Sequence, residues 1–426
     1  MQIIRYPSKE DWAGITERPA IENAMLRKQV GKIIADVRKT GDRSLKRYSK
    51  KFDGVDLKKL AVGQKEILDA EKKISESLKL AINVAIENIK RFHRTQVEDI
   101  KKIETMEGVV CWRKPTPMKR VGLYIPGGSA PLFSTVLMLG IPAQIAGCTE
   151  VVLCTPPAKD GSIHPAILYA AQKVSVTEIY RCGGAQAVAA MAYGTGSIKK
   201  VDKIFGPGNQ YVTAAKQLVQ MDGVAIDMPA GPSEVCVLAD DTANPDFVAA
   251  DLLSQAEHGP DSQVLLVTND ATLIEKTIKS MNAQLELLER KEIASKALDN
   301  SKAVLMTDMD DAISLVNEYA AEHLIIASDD AHRYGEKVFN AGSVFLGNYT
   351  PESAGDYASG TNHTLPTNGY ARAYSGVSVD SFVKKITFQQ INKQGIQNIG
   401  KTIITMAEAE GLDAHANAVK IRLNQC

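Results

Sequence analysis

The run Val121-Gly-Leu-Tyr-Ile125 decides the fold, because it is the first of several short apolar segments that alternate with helical patterns. A helical pattern follows near residues 134–146. Strands that alternate with helices at this spacing predict parallel βαβ units, since parallel neighbours need a crossover and the crossover is usually a helix. The later runs of this series are Val151-Val-Leu-Cys154, Glu178-Ile-Tyr-Arg181 and Lys203-Ile-Phe205.

A second series of the same kind extends from Val235-Cys-Val-Leu238 to Leu324-Ile-Ile326. The Pro/Gly-rich segment Met228-Pro-Ala-Gly-Pro-Ser233 separates it from the first series. The sequence therefore predicts an α/β protein with two halves. Open parallel sheets bind ligands beyond their strand ends, so we expect a ligand cleft where the two halves meet.

The composition favours small-molecule chemistry. A chain of 426 residues predicts at least two domains, because single cores stop growing near roughly 250 to 300 residues. The 50 basic and 50 acidic residues cancel, which argues against electrostatic capture of nucleic acid or of an anionic membrane. The six cysteines form no CxxC pair, and the sequence shows neither a signal-peptide core nor an apolar run of roughly 20 residues. We expect reduced thiols and a soluble, cytoplasmic protein.

The segment Asp251-Leu-Leu-Ser-Gln-Ala-Glu-His258-Gly-Pro-Asp-Ser262 is predicted to be a helix that ends abruptly. Asn244-Pro245 can cap and open this helix, and Gly259-Pro260 cannot continue it, so His258 lies at its end. Gln255 and His258 are three residues apart and share a face, where both can bind one metal ion. The alternative is that Gln255 is a solvated helix residue and that His258 interacts with the dipole at the helix end.

The pair Glu322-His323 is a candidate for proton transfer, and it directly precedes an apolar run. A histidine titrates near neutral pH, and an adjacent carboxylate can activate water. An ordinary histidine at the edge of a strand is the alternative interpretation.

Further candidate ligands lie near the C-terminus. The segment 347–376 is predicted to be a long loop, and it contains Asp356 and His363. A helical pattern beyond it presents His415. Together with the Gln255 and His258 pair, these residues form a nitrogen and oxygen set suited to zinc or a related divalent ion. The absence of cysteine ligands favours a catalytic metal over a closed structural site.

Glycine-rich turns follow three of the predicted strands and precede helices, where backbone amides can approach a pyrophosphate. None completes the pattern GxGxxG, since Tyr211 occupies the third glycine position after Gly206 and Gly208. Tight turns without a ligand are therefore an equal alternative. The turns are Ile125-Pro-Gly-Gly-Ser-Ala-Pro131, Cys182-Gly-Gly-Ala-Gln186 and Phe205-Gly-Pro-Gly-Asn209.

Several long strings at consistent spacing closely resemble histidinol dehydrogenases, from roughly residue 20 to the C-terminus. These strings are Val121-Gly-Leu-Tyr-Ile-Pro-Gly-Gly, Ala230-Gly-Pro-Ser-Glu, Asp251-Leu-Leu-Ser-Gln-Ala-Glu-His-Gly, Ala321-Glu-His and Gly360-Thr-Asn-His. The resemblance implies an NAD-dependent enzyme with one Zn²⁺ per subunit. Such an enzyme oxidises L-histidinol through L-histidinaldehyde to L-histidine in two successive hydride transfers, which are the last steps of histidine biosynthesis.

The resemblance also implies residue roles. His323 would be the catalytic base and Glu322 would activate water against the aldehyde. The family is homodimeric, and its C-terminal segment reaches the partner's site, so His415 would act in trans. The implied metal ligands are Gln255, His258, Asp356 and His415. The implied substrate contacts are Ser233, His323, Glu410 and His415, and the implied NAD contacts are Tyr124, Gln186 and Asn209. We also expect substrate contacts from Gln255, His258, Asp356 and His363.

The strand pattern and the resemblance together predict two incomplete Rossmann-like parallel-sheet domains with small helical segments at both termini. The expected boundaries are 1–22 for an N-terminal helical arm, 23–120 with 235–377 for the larger α/β domain that carries the metal and catalytic residues, 121–234 for the NAD-binding domain, and 378–426 for a C-terminal helical dimerisation segment.

Three other functions stay open at this point. A cysteine-dependent aldehyde dehydrogenase would use Cys111, Cys148 or Cys236 to form a thiohemiacetal. An NAD-independent zinc hydrolase would use the same metal residues to activate water. A non-enzymatic binding module would leave the clustered metal-type residues without a purpose.

Overall fold

The computed structural model describes residues 1–18, 23–127, 130–229 and 231–425, and these form three β-sheets covered by helices. The strands are β1 (Gln2–Arg5), β2 (Lys102–Met106), β3 (Val109–Pro117), β4 (Arg120–Tyr124), β5 (Glu150–Thr155), β6 (Glu178–Arg181), β7 (Lys203–Phe205), β8 (Ala225–Ile226), β9 (Glu234–Ala239), β10 (Gln263–Thr268), β11 (Lys302–Leu305), β12 (His323–Ala327), β13 (Ser343–Leu346) and β14 (Val383–Ile391). The helices are α1 (Trp12–Thr16), α2 (Asn23–Thr40), α3 (Asp42–Tyr48), α4 (Gln64–Ala70), α5 (Glu76–Arg94), α6 (Phe133–Ala146), α7 (Pro165–Lys173), α8 (Gly184–Tyr193), α9 (Gln210–Met221), α10 (Pro245–Ala256), α11 (Ala271–Leu285), α12 (Lys291–Asp299), α13 (Met309–Tyr319), α14 (Ala331–Gly335), α15 (Glu352–Tyr357), α16 (Lys393–Ala409) and α17 (Asp413–Leu423).

A five-stranded parallel sheet with the order β6-β5-β4-β7-β8 contains every strand of the first predicted series. Its central strand β4 is buried along its whole length, because α6 and α7 pack on one face and α8 and α9 on the other. The chain builds outward from β4 through β5 and β6 and then crosses to β7. This reversal leaves a crevice beyond the carboxyl ends of β4 and β7.

A six-stranded parallel sheet with the order β1-β11-β10-β9-β12-β13 contains the second predicted series. Helices α10, α11 and α12 cover one face, and α1 and α13 cover the other. The order reverses between β9 and β12, which pair directly. The predicted α/β class with two parallel-sheet halves is confirmed.

A third sheet, formed by β2, β3 and β14, is antiparallel and was not evident in the sequence pattern. In it, Val383 at the start of β14 aligns with Pro117 at the end of β3. Every residue of β2 is exposed. A strand without a buried face shows no alternation of apolar and polar residues, so its sequence does not mark it as a strand.

The terminal segments differ from their predicted helical character. In the segment 1–22, β1 pairs in parallel with β11 at the edge of the six-stranded sheet, and Gln2 aligns with Lys302. Four residues are too few to show a strand pattern. Residues 19–22 of this segment lie outside the described residues. The segment 378–426 contains β14 before its two helices α16 and α17.

Helices α2 and α5 of the segment 23–120, which was predicted within the larger domain, pack instead against the five-stranded sheet. Val30 in α2 belongs to the same buried core as Val152 in β5, and Ile89 in α5 belongs to the same core as Leu123 in β4. An apolar stripe shows that a helix is packed, but it does not identify the sheet that the helix covers.

Helix α10 begins as its sequence predicts. The Asn244 side chain accepts a hydrogen bond from the Asp246 amide, and Pro245 occupies the first turn. The helix ends at Ala256, two residues before His258. Its C-terminal end thereby lies at the amino ends of β9 and β12, where the candidate site forms.

Arg120 at the start of β4 joins three strands of the five-stranded sheet. Its guanidinium donates to Glu150 at 2.6 Å and to both oxygens of Glu178 at 2.7 and 2.9 Å. The Arg120 side chain is 8% exposed, and each glutamate is 32% exposed. Hydrogen bonds from Arg120 lower the pKa values of both glutamates. The arginine therefore stabilises the amino edge of this sheet.

We predict that Arg120→Met lowers the free energy of unfolding by about 2 kcal/mol, because two partly buried carboxylates lose a charged partner. Arg333→Met is the control, since its pair with Asp330 is 71% and 63% exposed and should change stability by less than about 0.5 kcal/mol. The folded pKa values of the glutamates lie below their ordinary value of 4.5. The difference in the free energy of unfolding between wild type and Arg120→Met should therefore have its largest value above that pH. It should shrink as the pH falls below it. Urea unfolding across pH measures this, and equal losses in both variants would contradict it.

Candidate active site

His323, the first residue of β12, lies at the centre of a buried polar cluster. Its side chain is 5% exposed, and its Nδ1 lies 3.3 Å from the carbonyl oxygen of Glu234 on the neighbouring β9. The carboxylates of Glu322 and Glu352 each lie 3.6 Å from Nδ1, and Asp356 Oδ1 lies 3.6 Å from Nε2. We call these four side chains, His323 with Glu322, Glu352 and Asp356, the His323 cluster.

The His323 cluster brings three carboxyl groups together around one imidazole. Burial alone would lower the pKa of His323, but the carboxylates of Glu352 and Glu322 outweigh burial and raise that pKa to about 10. Burial raises the pKa of Glu322 to about 7 and raises the pKa of Glu352 well above its ordinary value. For Asp356, burial is outweighed by the nearby His323 imidazole, and the pKa is lowered. A single imidazolium does not balance three buried carboxyl groups.

The segment 347–376, predicted to be one loop, contains the short helix α15. This helix carries Glu352 and Asp356, which are four residues apart and therefore share a face. The sequence prediction included Asp356 and missed Glu352. The spacing of two carboxylates after Pro351 was the available signal, because proline favours the start of a helix.

Gln255 near the end of α10 is fully buried beside Glu352. With its amide nitrogen toward Glu352, Gln255 donates to both oxygens of that carboxylate, one of them at 3.2 Å. Its amide oxygen then accepts from the backbone N–H of Glu234 at 3.0 Å. In the reverse orientation the Gln255 oxygen would face the Glu352 oxygens, and the Gln255 NH₂ group would face the Glu234 N–H. Both neighbours therefore favour the same orientation of the amide.

Two more predicted histidines face Asp356. His258 is exposed at the rim of the cluster. Desolvation by the surrounding protein lowers the pKa of His258, and this effect outweighs the Asp356 carboxylate, which raises it. His363 Nδ1 lies 2.9 Å from the Asp356 carbonyl oxygen, and burial lowers the pKa of His363. Lowered pKa values favour neutral imidazoles, the form that binds a metal ion.

His363 also connects the cluster with the other sheet. Its Nε2 lies 3.1 Å from Thr135 Oγ1 in the first turn of α6. Helix α6 follows β4, so Thr135 lies at the carboxyl edge of the five-stranded sheet. The cluster therefore lies between the carboxyl edge of one sheet and the amino edge of the other, in the predicted region between the two halves.

Three predicted substrate residues are not part of the His323 cluster in this single chain. Ser233 is half-buried and directly precedes Glu234 at the start of β9. Glu410 follows α16, and His415 lies in the first turn of α17, where both are exposed. Among the described residues, no hydrogen bond or ion pair joins Glu410 or His415 to the cluster. Their roles stay predictions.

The donor atoms of the cluster fit a divalent cation. One nitrogen of His323 and one oxygen each of Glu352 and Asp356 lie within 4.8 Å of one another. His323 Nε2 is buried and has no hydrogen-bond partner in the described part of the chain. Buried carboxylates in excess, with neutral imidazoles at hand, are the donors that zinc and related ions take.

The three predicted NAD residues follow different strands at the carboxyl edge of the five-stranded sheet. Tyr124 ends β4, and its hydroxyl accepts a hydrogen bond from the Gly184 amide at 3.0 Å. Gln186 is buried in the first turn of α8. Asn209 caps α9 and accepts two backbone N–H groups with its side chain. Residues 128–129 of the first glycine turn lie outside the described residues.

A buried ion pair holds the glycine turn after β7, and the sequence did not predict it. Lys216 and Asp227 pair directly, and their side chains are 4% and 1% exposed. Asp227 accepts from the Gly206 amide at 2.7 Å, and Lys216 donates to the Gly206 carbonyl at 2.9 Å. Gly206 has a φ of +121° and lies against the backbone carbonyl of Tyr124. The pair thus fixes the turn at the crevice between β4 and β7.

The cysteines lie in environments that do not favour a nucleophile. Burial raises the pKa of Cys148 to about 11 and raises that of Cys236, inside β9, well above its ordinary value. Cys111 lies in β3 of the antiparallel sheet, apart from the His323 cluster. Cys426 lies outside the described residues. A thiolate at neutral pH is therefore disfavoured at Cys148 and Cys236.

The chain is similar to known proteins along its whole length. A family model described as histidinol dehydrogenase matches residues 16–423. The chain is 61% identical to a histidinol dehydrogenase of Bacteroides thetaiotaomicron, with 100% of this chain and 99% of that protein covered. It is 52% identical to one of Vibrio parahaemolyticus, with 98% and 97% covered. A crystal structure of histidinol dehydrogenase from Elizabethkingia anophelis superposes with a TM-score of 0.97 at 55% identity, with 100% and 98% covered.

We predict that Gly206→Ala destabilises the protein by at least about 2 kcal/mol more than Gly223→Ala. Both glycines have positive φ, +121° and +87°, so both variants pay for backbone strain. A Cβ at residue 206 would also collide with the Tyr124 carbonyl, whereas a Cβ at residue 223 meets no described atom within 4 Å. Urea unfolding of the two variants measures the difference. Equal destabilisation would show that the close approach of the two backbones does not matter.

Proposed function

The chain belongs to the histidinol dehydrogenase family of oxidoreductases, and we propose that it oxidises L-histidinol through L-histidinaldehyde to L-histidine with two NAD. The observation that carries this proposal is the His323 cluster, which combines an unpartnered imidazole nitrogen with a buried carboxylate on an adjacent residue. A four-electron oxidation needs a base for the alcohol and an activated water for the aldehyde. We assign the base to His323 and the activation of water to the adjacent Glu322.

The proposed metal is one Zn²⁺ per subunit. Gln255, His258 and Asp356 of this chain would hold it, with His415 of a second subunit as the fourth ligand. When bound, zinc would serve as a template that orients the imidazole and amine of histidinol. The carboxylates that raise the pKa of His323 are also those that a divalent cation would neutralise. Cation binding and a neutral His323 therefore go together.

The proposed cofactor site is the crevice beyond β4 and β7. Tyr124, Gln186 and Asn209 line the turns at this edge, and NAD would accept a hydride at each of the two steps. The N-terminus of α9 follows β7 at this crevice, and the positive end of a helix dipole suits a phosphate group. The Lys216 and Asp227 pair keeps the glycine turn in place without itself facing solvent.

His323 is proposed as the base in both oxidations. Its Nδ1 lies near the Glu234 carbonyl oxygen at 3.3 Å, so an N–H on Nδ1 would leave Nε2 as the acceptor. Nε2 points toward Asp356 and has no hydrogen-bond partner among the described residues. This nitrogen would take the hydroxyl proton of the alcohol in the first step and that of the hydrated aldehyde in the second.

Glu322 is proposed to activate the water that adds to the aldehyde. Burial raises the pKa of Glu322 to about 7, so its carboxyl group can exchange a proton near neutral pH. Its Oε2 accepts from the Glu234 amide at 3.0 Å, which fixes the carboxylate beside His323. The two neighbouring residues would thereby divide proton abstraction and hydration between them.

Substrate contacts are proposed for residues around the cluster and for a second subunit. The contacts proposed from this chain itself are Ser233, His258, His323 and His363. Glu410 and His415 are exposed on the C-terminal helices, where they can reach a partner chain, so we propose a homodimer. In the described ranges, no helix has the length and apolarity that membrane crossing requires. A cytoplasmic location stays a prediction.

We predict that the full-length protein produces two NADH per histidinol and that it loses this activity when a chelator removes its metal. Added zinc should restore turnover, because zinc supplies the substrate template. The absorbance of reduced nicotinamide measures both results. Full turnover in a verified metal-free sample would refute the metal site, and histidinol-dependent activity without NAD would favour a hydrolase.

We predict that His323→Ala slows both oxidations, whereas Glu322→Gln slows the oxidation of histidinaldehyde by roughly 10²-fold and that of histidinol much less. The reason is that both steps release a hydroxyl proton, but only the second needs an added water. Single-turnover measurements with each substrate separate the two steps. An equal loss in both steps for Glu322→Gln would overturn its assignment.

A further inference from the structure

Glu352 is the buried carboxylate of the His323 cluster to which the proposed mechanism gives no role. Its side chain is 1% exposed and lies at the start of α15. The carboxylate touches the Gln255 amide and lies 3.6 Å from His323 Nδ1. A buried carboxylate is costly unless it is paired. Its position against Gln255 therefore calls for a functional explanation.

The chemistry of an amide supplies that explanation. A glutamine side chain has an oxygen that can bind a cation and an NH₂ group that cannot, and the two ends have nearly the same shape. The backbone N–H of Glu234 can only donate, so it meets the oxygen of Gln255, and the NH₂ group then meets the oxygens of Glu352. On the other side, the Glu234 N–H meets the oxygen at 3.0 Å. Glu322 Oε2 lies at the same distance of 3.0 Å from this N–H, so the two oxygens share one donor, and the bond engages at most one of the two lone pairs of the Gln255 oxygen.

We propose that Glu352 is a positioning residue that fixes the Gln255 amide with its oxygen available to the metal ion. The inference rests on the proposed zinc site, in which Gln255 is the neutral and weakest ligand. Without Glu352, the amide can rotate and present NH₂ to the cation. Partners that orient a ligand in this way commonly change metal affinity by roughly 10- to 100-fold.

The alternative is that Glu352 binds the cation directly. Its oxygen lies within 4.8 Å of donor atoms of His323 and Asp356, which is compatible with a shared ion. The two roles differ in their dependence on Gln255. A positioning residue acts only through Gln255, whereas a direct ligand contributes whether or not Gln255 is present. A double-mutant cycle separates them.

The experiment measures zinc affinity of the full-length protein by competition with a chromophoric chelator, in the wild type, Glu352→Met, Gln255→Ala and the double variant. Methionine keeps the length of the side chain and removes both acceptor oxygens. We expect Glu352→Met to weaken zinc binding by roughly 10- to 100-fold. In the Gln255→Ala background, the same change should weaken it by less than about threefold. An equal loss in both backgrounds would overturn the positioning role.

Glu322→Met is the matched control, because the Glu322 carboxylate is also buried and also lies 3.6 Å from His323 Nδ1, but it does not hydrogen bond to Gln255. It removes the same charge from the cluster. Glu322 shares the Glu234 N–H with the Gln255 oxygen but does not contact the NH₂ group. We therefore expect its effect on zinc affinity to be smaller than that of Glu352→Met and to depend less on Gln255. If the two methionine variants weaken zinc binding equally, charge alone explains the result and the inference is wrong.

Glu352→Gln keeps the test decisive if the methionine variant does not fold. Glutamine retains one acceptor oxygen for the Gln255 NH₂ group, so zinc affinity should fall no further than in Glu322→Gln. A larger loss would show that Glu352 acts through its charge or as a ligand. A wild-type protein that binds no zinc would instead refute the proposed metal site itself.

Discussion

Buried negative charge around one imidazole is the constraint on which the site depends. Three carboxyl groups approach His323 in a region that water barely reaches: Glu322 precedes it in the sequence, and Glu352 and Asp356 come from α15. Such a cluster is stable only with added positive charge, whether from protons or from a cation. The neighbouring carboxylates raise the pKa of His323, and burial raises the pKa of Glu352, so both groups tend to hold a proton. The divalent ion that we propose for this site would supply such positive charge.

The two parallel sheets use opposite edges. The crevice proposed for the cofactor lies at the carboxyl edge of the five-stranded sheet, where open α/β folds usually bind ligands. The His323 cluster lies at the amino edge of the six-stranded sheet, where β9 and β12 begin. The loop after α15 ties these edges together: Asn362 donates to the Met138 carbonyl at 2.6 Å, and Thr367 accepts from the Gly231 amide. The spacing of the reacting groups therefore depends on this loop.

Sequence reasoning predicted the parallel strands, the cap of α10 and most of the residues that meet at the cluster. Apolar runs and helix caps are local signals, and resemblance supplied the rest. Glu352 was missed because a carboxylate in a polar segment looks solvated until the short helix buries it. The Lys216 and Asp227 pair was missed because its members lie on different elements. The sheet partner of 23–120 was assigned wrongly because helix periodicity does not name a partner.

The pairing of β1 with β11 has a consequence for the order of folding. The five-stranded sheet is built from one continuous stretch of chain, so it can form as soon as that stretch leaves the ribosome. The six-stranded sheet joins the first residues to strands made much later, since Gln2 pairs with Lys302. Closing so long a loop costs conformational entropy, which is offset only when the strands of the sheet have paired. The five-stranded sheet should therefore be in place before the six-stranded sheet closes and brings the residues of the His323 cluster together.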